Sequence, residues 1–202
     1  MRAIGITGGV GAGKSAVLAY LEKRPGCLVI MADRVAHQLE EPGEVCYGPL
    51  KALLGDEVLD ETGKIDRPKM AAKIFRDGEL LQKVNGIVHP AVKAFLTAQI
   101  EEERVTGQLG FLFIEAALLI EEGYASILDE MWYIHADEEA RRKRLRESRG
   151  YADDRIDAIL KKQLPEKVFR EQCDVVIENN GALEDVYTQI ERELGENQWQ
   201  RQ

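Results

Sequence analysis

The sequence is poor in cysteine, histidine and net positive charge, and each shortage excludes something. Three cysteines occur in 202 residues, Cys27, Cys46 and Cys173, an odd number at wide spacing with no C-x-x-C pair. That pattern argues against a disulfide framework and a zinc knot, and the expectation is three reduced thiols in a cytoplasmic protein. Three histidines without mutual spacing offer no metal site. Lys and Arg number 27 against 36 Asp and Glu, a formal net charge of −9, so no global basic field exists to hold a nucleic-acid backbone. No apolar run approaches the ~20 residues of a membrane span. The apolar stretch after Arg2 is cut short by glycines and Lys14, which reads against a signal peptide. The dinucleotide fingerprint G-x-G-x-x-G is missing, because Lys14 stands where its last glycine would follow Gly9 and Gly11. No Asn-Lys-x-Asp guanine motif occurs either.

What is present is an ordinary globular composition, 45% hydrophobic, long enough to bury a core. Short apolar runs alternate with longer amphipathic stretches, the pattern of a parallel sheet flanked by helices. The runs 3–7, 27–32, 109–114, 130–135 and 174–178 are the expected strands, mostly apolar on both faces as a doubly covered sheet requires. A helix is expected over 14–23, and Leu183, Val186, Ile190 and Leu194 set a closing helix. Between residues 32 and 109 no strand is expected. That stretch reads as a helical insertion whose strongest stripe is Val84, Ile87, Val88, Val92, Phe95, Leu96 and Ile100. Pro90 falls inside the stripe, and the residue before a proline avoids the α region. A break or kink is therefore expected at His89, with Pro90 starting the next helix. The polar tail 196–202 is expected to fray.

Gly8-Gly9-Val10-Gly11-Ala12-Gly13-Lys14-Ser15 matches G-x-x-x-x-G-K-[ST] and sits where the mechanism needs it, between an apolar strand and an amphipathic helix. Glycines let the backbone curl so that its N–H groups converge on phosphate oxygens, and the helix adds its positive end. Lys14 would reach the β- and γ-phosphates of a nucleotide, and the Ser15 hydroxyl would ligate Mg²⁺. Two carboxylates end apolar runs: Asp33 and Glu115. Ligands in open α/β sheets bind outside the carboxyl ends of the strands, so one could serve the metal through water and the other accept a proton. Asp33 taken alone serves equally as the N-cap of a helix beginning at Arg34.

Arg141, Arg142, Lys143, Arg144, Arg146 and Arg149 crowd one predicted helix, with Asp137 placed as its N-cap and Glu138 and Glu139 in its first turn. One or two of these cations, Arg144 and Arg149 foremost, are expected over a migrating phosphoryl group, the others on a solvated face. Gly150 would hinge a lid. The segment Asp60-Glu61-Thr62-Gly63 fits a GTPase switch in letters only, and a hydrophilic turn is the better reading. Trp132 is expected in the core and Trp199 in the tail.

These residues together resemble the dephospho-coenzyme A kinases, across nearly the whole chain. Ile4 to Ser15 looks like that family's strand and P-loop, and Ala32-Asp33 is similar to its Asp-Ala-Asp segment, with Met31 in place of the first aspartate. Gly63 with Asp66-Arg67 resembles its D-G-x-[LI]-D-R turn, and His89-Pro90 its His-Pro motif. The segment 117–121 stands for its Pro-Leu-Leu-Phe-Glu stretch, with Ala117 for proline. Arg144, Arg149 and Gln163 resemble its lid, and 176–181 its last strand and turn. The resemblance implies an α/β fold: a P-loop nucleoside-kinase-like parallel sheet core (about 1–33, 107–136 and 173–195) flanked by helices, a helical substrate-binding insertion (about 34–106) and a helical lid (about 137–172). It implies ATP-dependent phosphorylation of the ribose 3′-hydroxyl of dephospho-coenzyme A. Gly11, Ala12, Gly13, Lys14, Ser15 and Ala16 would hold ATP and Mg²⁺, Asp33 would act as base, and Arg144 and Arg149 would lie over the phosphates. Asn179 would lie near the adenine, and His89 and Pro90 on the acceptor's side. Neither nucleic acid nor membrane is an expected partner. Two other readings remain at this point: another P-loop small-molecule kinase, for a nucleoside or nucleoside monophosphate, and a nucleotide-binding switch without an acceptor.

Overall fold

Short apolar runs of the sequence become strands in the computed structural model, which describes residues 1–75 and 77–195. They are β1 (Arg2–Thr7), β2 (Cys27–Met31), β3 (Phe111–Glu115), β4 (Glu130–His135) and β5 (Val175–Glu178). Each lies within two residues of the expected bounds at both ends. The sheet order is β2-β3-β1-β4-β5. β1 pairs in parallel with β3 and β4, and β4 in parallel with β5. Parallel strands need crossover connections. α1 (Lys14–Leu21) joins β1 to β2, and α2 (Ala32–Leu39), α3 (Tyr47–Leu54), α4 (Arg67–Ile74) and α5 (Gly78–Thr106) lie between β2 and β3. A loop with a single 3-10 turn joins β3 to β4. α6 (Glu138–Arg149), α7 (Asp153–Lys161) and α8 (Glu166–Gln172) lie between β4 and β5, and α9 (Leu183–Leu194) follows β5. No described helix is long and apolar enough to cross a membrane.

The chain divides into two compact units. One comprises Met1–Val29 and the chain from Gly107 onward, the other Ile30–Thr106. In the first unit Ile4, Ile6, Leu112, Phe113, Ile114, Trp132 and Ile134 are fully buried, which is why these strands read as unbroken apolar runs. Trp132 is a core residue, as expected, with its indole N–H donated to Glu130 at 3.0 Å. α9 buries Val186, Ile190 and Leu194, three of the four stripe positions, while Leu183 stays partly exposed. Its Tyr187 stacks on Tyr20 of α1, ring centroids 4.0 Å apart.

In the second unit the expected interruption at His89 is overturned. α5 runs unbroken from Gly78 to Thr106 with Pro90 inside it. Proline in a helix interior costs about 3 kcal/mol. Val84, Val88, Val92, Leu96 and Ile100 are all buried along one stripe that spans both sides of the proline. At roughly 1.5–3 kcal/mol for each buried aliphatic side chain, keeping the stripe in register outweighs the local penalty. The Asp60 segment is a turn, as expected: the Asp60 carboxylate accepts from Thr62 N–H, Thr62 Oγ1 and Lys64 N–H at 2.7–3.0 Å. The tail 196–202, with Trp199, lies outside the described residues.

Candidate active site

The glycine-rich segment occupies the turn between β1 and α1, at the carboxyl end of the central strand. Gly13 sits at φ 95°, a left-handed conformation open to glycine and strained for other residues, and it caps α1. Ala12 N–H donates to Gly9 O at 3.1 Å and Ala16 N–H to Gly13 O at 3.0 Å, so the loop is a closed curl leading into the helix. A side chain at Gly13 would collide with the Asn179 amide, and one at Gly9 with the Arg141 guanidinium. Gly13 is thus required by backbone conformation, while Gly9 leaves room for the Arg141 guanidinium.

Lys14 Nζ donates to Gly8 O at 2.7 Å and lies 3.9 Å from the Glu115 carboxylate at the end of β3. Ser15 is exposed in the first turn of α1 and makes no hydrogen bond to a described residue. Asn179, just past β5, is buried, and its Nδ2 donates to Ala12 O at 2.7 Å. Arg144 of α6 donates to Asn179 O at 2.8 Å and lies 3.4–3.5 Å from the Ala12 and Gly11 carbonyls. Arg141, one turn earlier, donates to Val10 O at 2.9 Å and to Gln163 Oε1.

The arginines of α6 divide by partner. Arg142 pairs with Glu138 and Asp157, and Arg146 with Asp153. Arg141 and Arg144, the two on the loop, are held by carbonyl and amide oxygens, and neither pairs with a carboxylate among the described residues. Burial lowers the Arg141 pKa, with Tyr133 and Glu138 opposing. A guanidinium stays charged under all ordinary conditions, so Arg141 and Arg144 bring positive charge to the loop without a carboxylate in ion-pair contact among the described residues. Such a surface suits a polyanion.

Of the expected site residues, the structure brings together Gly11, Ala12, Gly13, Lys14, Ser15, Ala16, Arg144 and Asn179 around one loop, with Glu115 beside Lys14. Arg149 is not among them: it is exposed at the end of α6, its guanidinium 6.0 Å from the Tyr151 ring. Asp137 takes the N-cap position of α6, but its carboxylate caps nothing, and Asn180 instead accepts from its N–H. Asp33, in the second unit, is not a helix cap. α2 starts one residue before it, at Ala32, with Met31 in the cap position, leaving the Asp33 carboxylate exposed in the first turn. His89 and Pro90 lie in mid-helix on α5. Sequence reasoning passed over Arg141. The signal was its spacing: Arg141, Arg144 and Leu145 stand at i, i+3 and i+4, one helix face, and Leu145 is the buried residue of that helix.

A parallel sheet whose central strand feeds a G-x-x-x-x-G-K-[ST] loop, with Lys14, Arg141 and Arg144 gathered on that loop, defines a P-loop nucleotide-binding protein. The family model described as dephospho-CoA kinase matches residues 2–185. A dephospho-CoA kinase of Shouchella clausii is 35% identical over 187 residues, covering 93% of this chain and 94% of that one. The crystal structure of TT1252 from Thermus thermophilus superposes with a TM-score of 0.79 at 30% identity, covering 98% of each chain. A dephospho-CoA kinase from Campylobacter jejuni shares the fold at TM-score 0.72 and 19% identity, covering 96% of each chain. The chain belongs to the dephospho-CoA kinase family.

Proposed function

We propose that this protein transfers the γ-phosphoryl group of ATP to the ribose 3′-hydroxyl of dephospho-CoA, forming CoA and ADP in the last step of CoA synthesis. Family membership supports ATP and dephospho-CoA as substrates. The observation that carries the site assignment is the pair of arginines that reach the loop carbonyls and form no ion pair with a carboxylate among the described residues.

In this reading the backbone N–H groups of Gly11 to Ala16 cradle the phosphates, and Lys14 moves from the Gly8 carbonyl to the β- and γ-oxygens. Arg144 and Arg141 stabilise charge as it builds on the transferring group. Arg149 would join them on lid closure, with residues 137–172 as the lid. Asn179, which ties Ala12 to the edge of the sheet, sets the loop's shape beside the adenine. Asp33 takes the proton from the 3′-hydroxyl as the new oxygen–phosphorus bond forms and the bond to the ADP oxygen breaks. Residues 34–106, with His89 and Pro90, form the acceptor's side. The residues present fit Mg²⁺, an ion that keeps several waters and takes few protein ligands: Ser15, a hydroxyl residue, is exposed beside the loop. Bound there with phosphate oxygens, Mg²⁺ would neutralise the β- and γ-phosphates. Cys27, Cys46 and Cys173 are free thiols, which supports a reducing, cytoplasmic setting.

The test is product formation from Mg·ATP with and without dephospho-CoA. Release of ADP that depends on the acceptor, with a new phosphate monoester at the 3′ position, supports the assignment. ADP release that another nucleoside stimulates and dephospho-CoA does not would overturn it.

A further inference from the structure

Within residues 30–106, one face of α2 carries a row of ionisable side chains of which the proposed reaction uses only the first. Asp33, His37 and Glu40 stand at i, i+4 and i+7, a spacing that stacks them on one helix face. Asp33 and His37 are exposed, whereas Glu40, at the helix's C-terminal end, is only 8% exposed. A carboxylate buried that far ordinarily has hydrogen bonds to both oxygens. Glu40 Oε2 has none. Its charged neighbour is Arg67 Nε at 3.6 Å, an ion pair too long to be a hydrogen bond. Burial pushes the Glu40 carboxyl up, and Arg67 opposes the rise.

Arg67 opens α4, and its side chain is 41% exposed. Its guanidinium makes no hydrogen bond among the described residues, so its two terminal nitrogens remain available as donors. Arg67 also stands close enough to His37 to lower that imidazole's pKa, second to burial, while Asp33 acts on His37 in the opposite sense. The row therefore runs from an exposed carboxylate, past an imidazole, to an arginine fork set on a buried carboxylate. At 1.5 Å rise per residue, Asp33 and Glu40 are about 10 Å apart along the helix axis.

We propose that Arg67 binds the diphosphate of the acceptor nucleotide and that Glu40 is the positioning residue that holds it there. The inference rests on the reading above, in which Asp33 faces the ribose 3′-hydroxyl. Dephospho-CoA carries its diphosphate on the 5′-carbon of that same ribose, a few bonds from the reacting oxygen, so a molecule with its hydroxyl at Asp33 presents two phosphates further along the row. A planar fork matches phosphate oxygens bidentately, which a lysine ammonium does not. Glu40 engages Nε and leaves the outer end of the fork for the ligand. Its burial is then a structural cost kept for orientation.

The test is steady-state kinetics of the full chain carrying Arg67→Ala, Arg67→Lys or Glu40→Gln, with dephospho-CoA and ATP each varied. Loss of a charge-assisted pair should raise KM for dephospho-CoA about 10- to 100-fold in Arg67→Ala, with kcat and KM for ATP little changed. Arg67→Lys should recover part of the loss. Glu40→Gln should raise the same KM by a smaller factor with its melting temperature unchanged or higher, and these two variants carry the test if Arg67→Ala does not fold. An unchanged KM for dephospho-CoA, or a loss confined to kcat, would overturn the proposal. A wild-type enzyme that phosphorylates no dephospho-CoA would overturn the underlying reading instead.

Discussion

Asp33 and Cys173 show how position decides what a side chain can do. Asp33 lies in the first turn of α2 with its carboxylate exposed and accepting no hydrogen bond from a described residue. Asp33→Asn should leave ATP affinity nearly intact and cut turnover roughly 10²–10⁴-fold, the usual worth of a general base. Parallel measurement of ATP binding and kcat checks this, and near-normal turnover would remove Asp33 from the chemistry. The Cys173 thiol is pushed up from 9.0 to about 12, first by burial and then by the Asp174 carboxylate. A raised folded-state value means the contribution of this thiol to stability is complete below pH 9 and declines as pH rises from there toward 12. At pH 8 a thiol reagent should therefore modify Cys173 much more slowly in the native protein than in denaturant. Equal rates in the two states would contradict that burial. Asp33 could be singled out in the sequence because it ends an apolar run, but its two roles could not be separated there. Cap and base differ by one residue of helix start, and Met31 rather than Asp33 takes the cap position.

At the scale of the element, α5 and α6 mark where a sequence pattern misleads. Pro90 has no N–H for the Gly86 carbonyl, and local rules favour a break at that point. The helix continues because its buried stripe lies on both sides of the proline. Pro90→Ala should restore the missing bond and raise stability by about 1–3 kcal/mol, or about 2–4 °C of melting temperature per kcal/mol for a chain of this size. Calorimetry checks it, and a lower melting temperature would mean that the proline is favoured by its surroundings. α6 is the opposite case: its charge run is legible, but which cation faces the loop is a matter of helical phase. Arg142 and Arg146 are neutralised by carboxylates on α6 and α7, while Arg141 and Arg144 reach the loop carbonyls. A list of charges carries no phase, whereas the place of the buried Leu145 sets it.

For the whole molecule, the sheet was legible because a parallel sheet covered on both faces demands apolar runs, and only five such runs of strand length stood out. The P-loop was legible because phosphate binding by backbone needs glycines and a lysine at fixed spacing. Asn179 and Gln163 were visible only through family resemblance, since their work is to join segments far apart in sequence: Asn179 with Ala12, Gln163 with Arg141. The account's central claim is that the cations without carboxylate partners serve the triphosphate. Calorimetric ATP affinity of two double variants tests it most directly: Arg141→Ala with Arg144→Ala, and Arg142→Ala with Arg146→Ala. The account predicts that the first pair weakens ATP binding about 100-fold or more while the second leaves it within about twofold, as exposed ion pairs are worth little. Equal losses in both pairs, or none in the first, would contradict it.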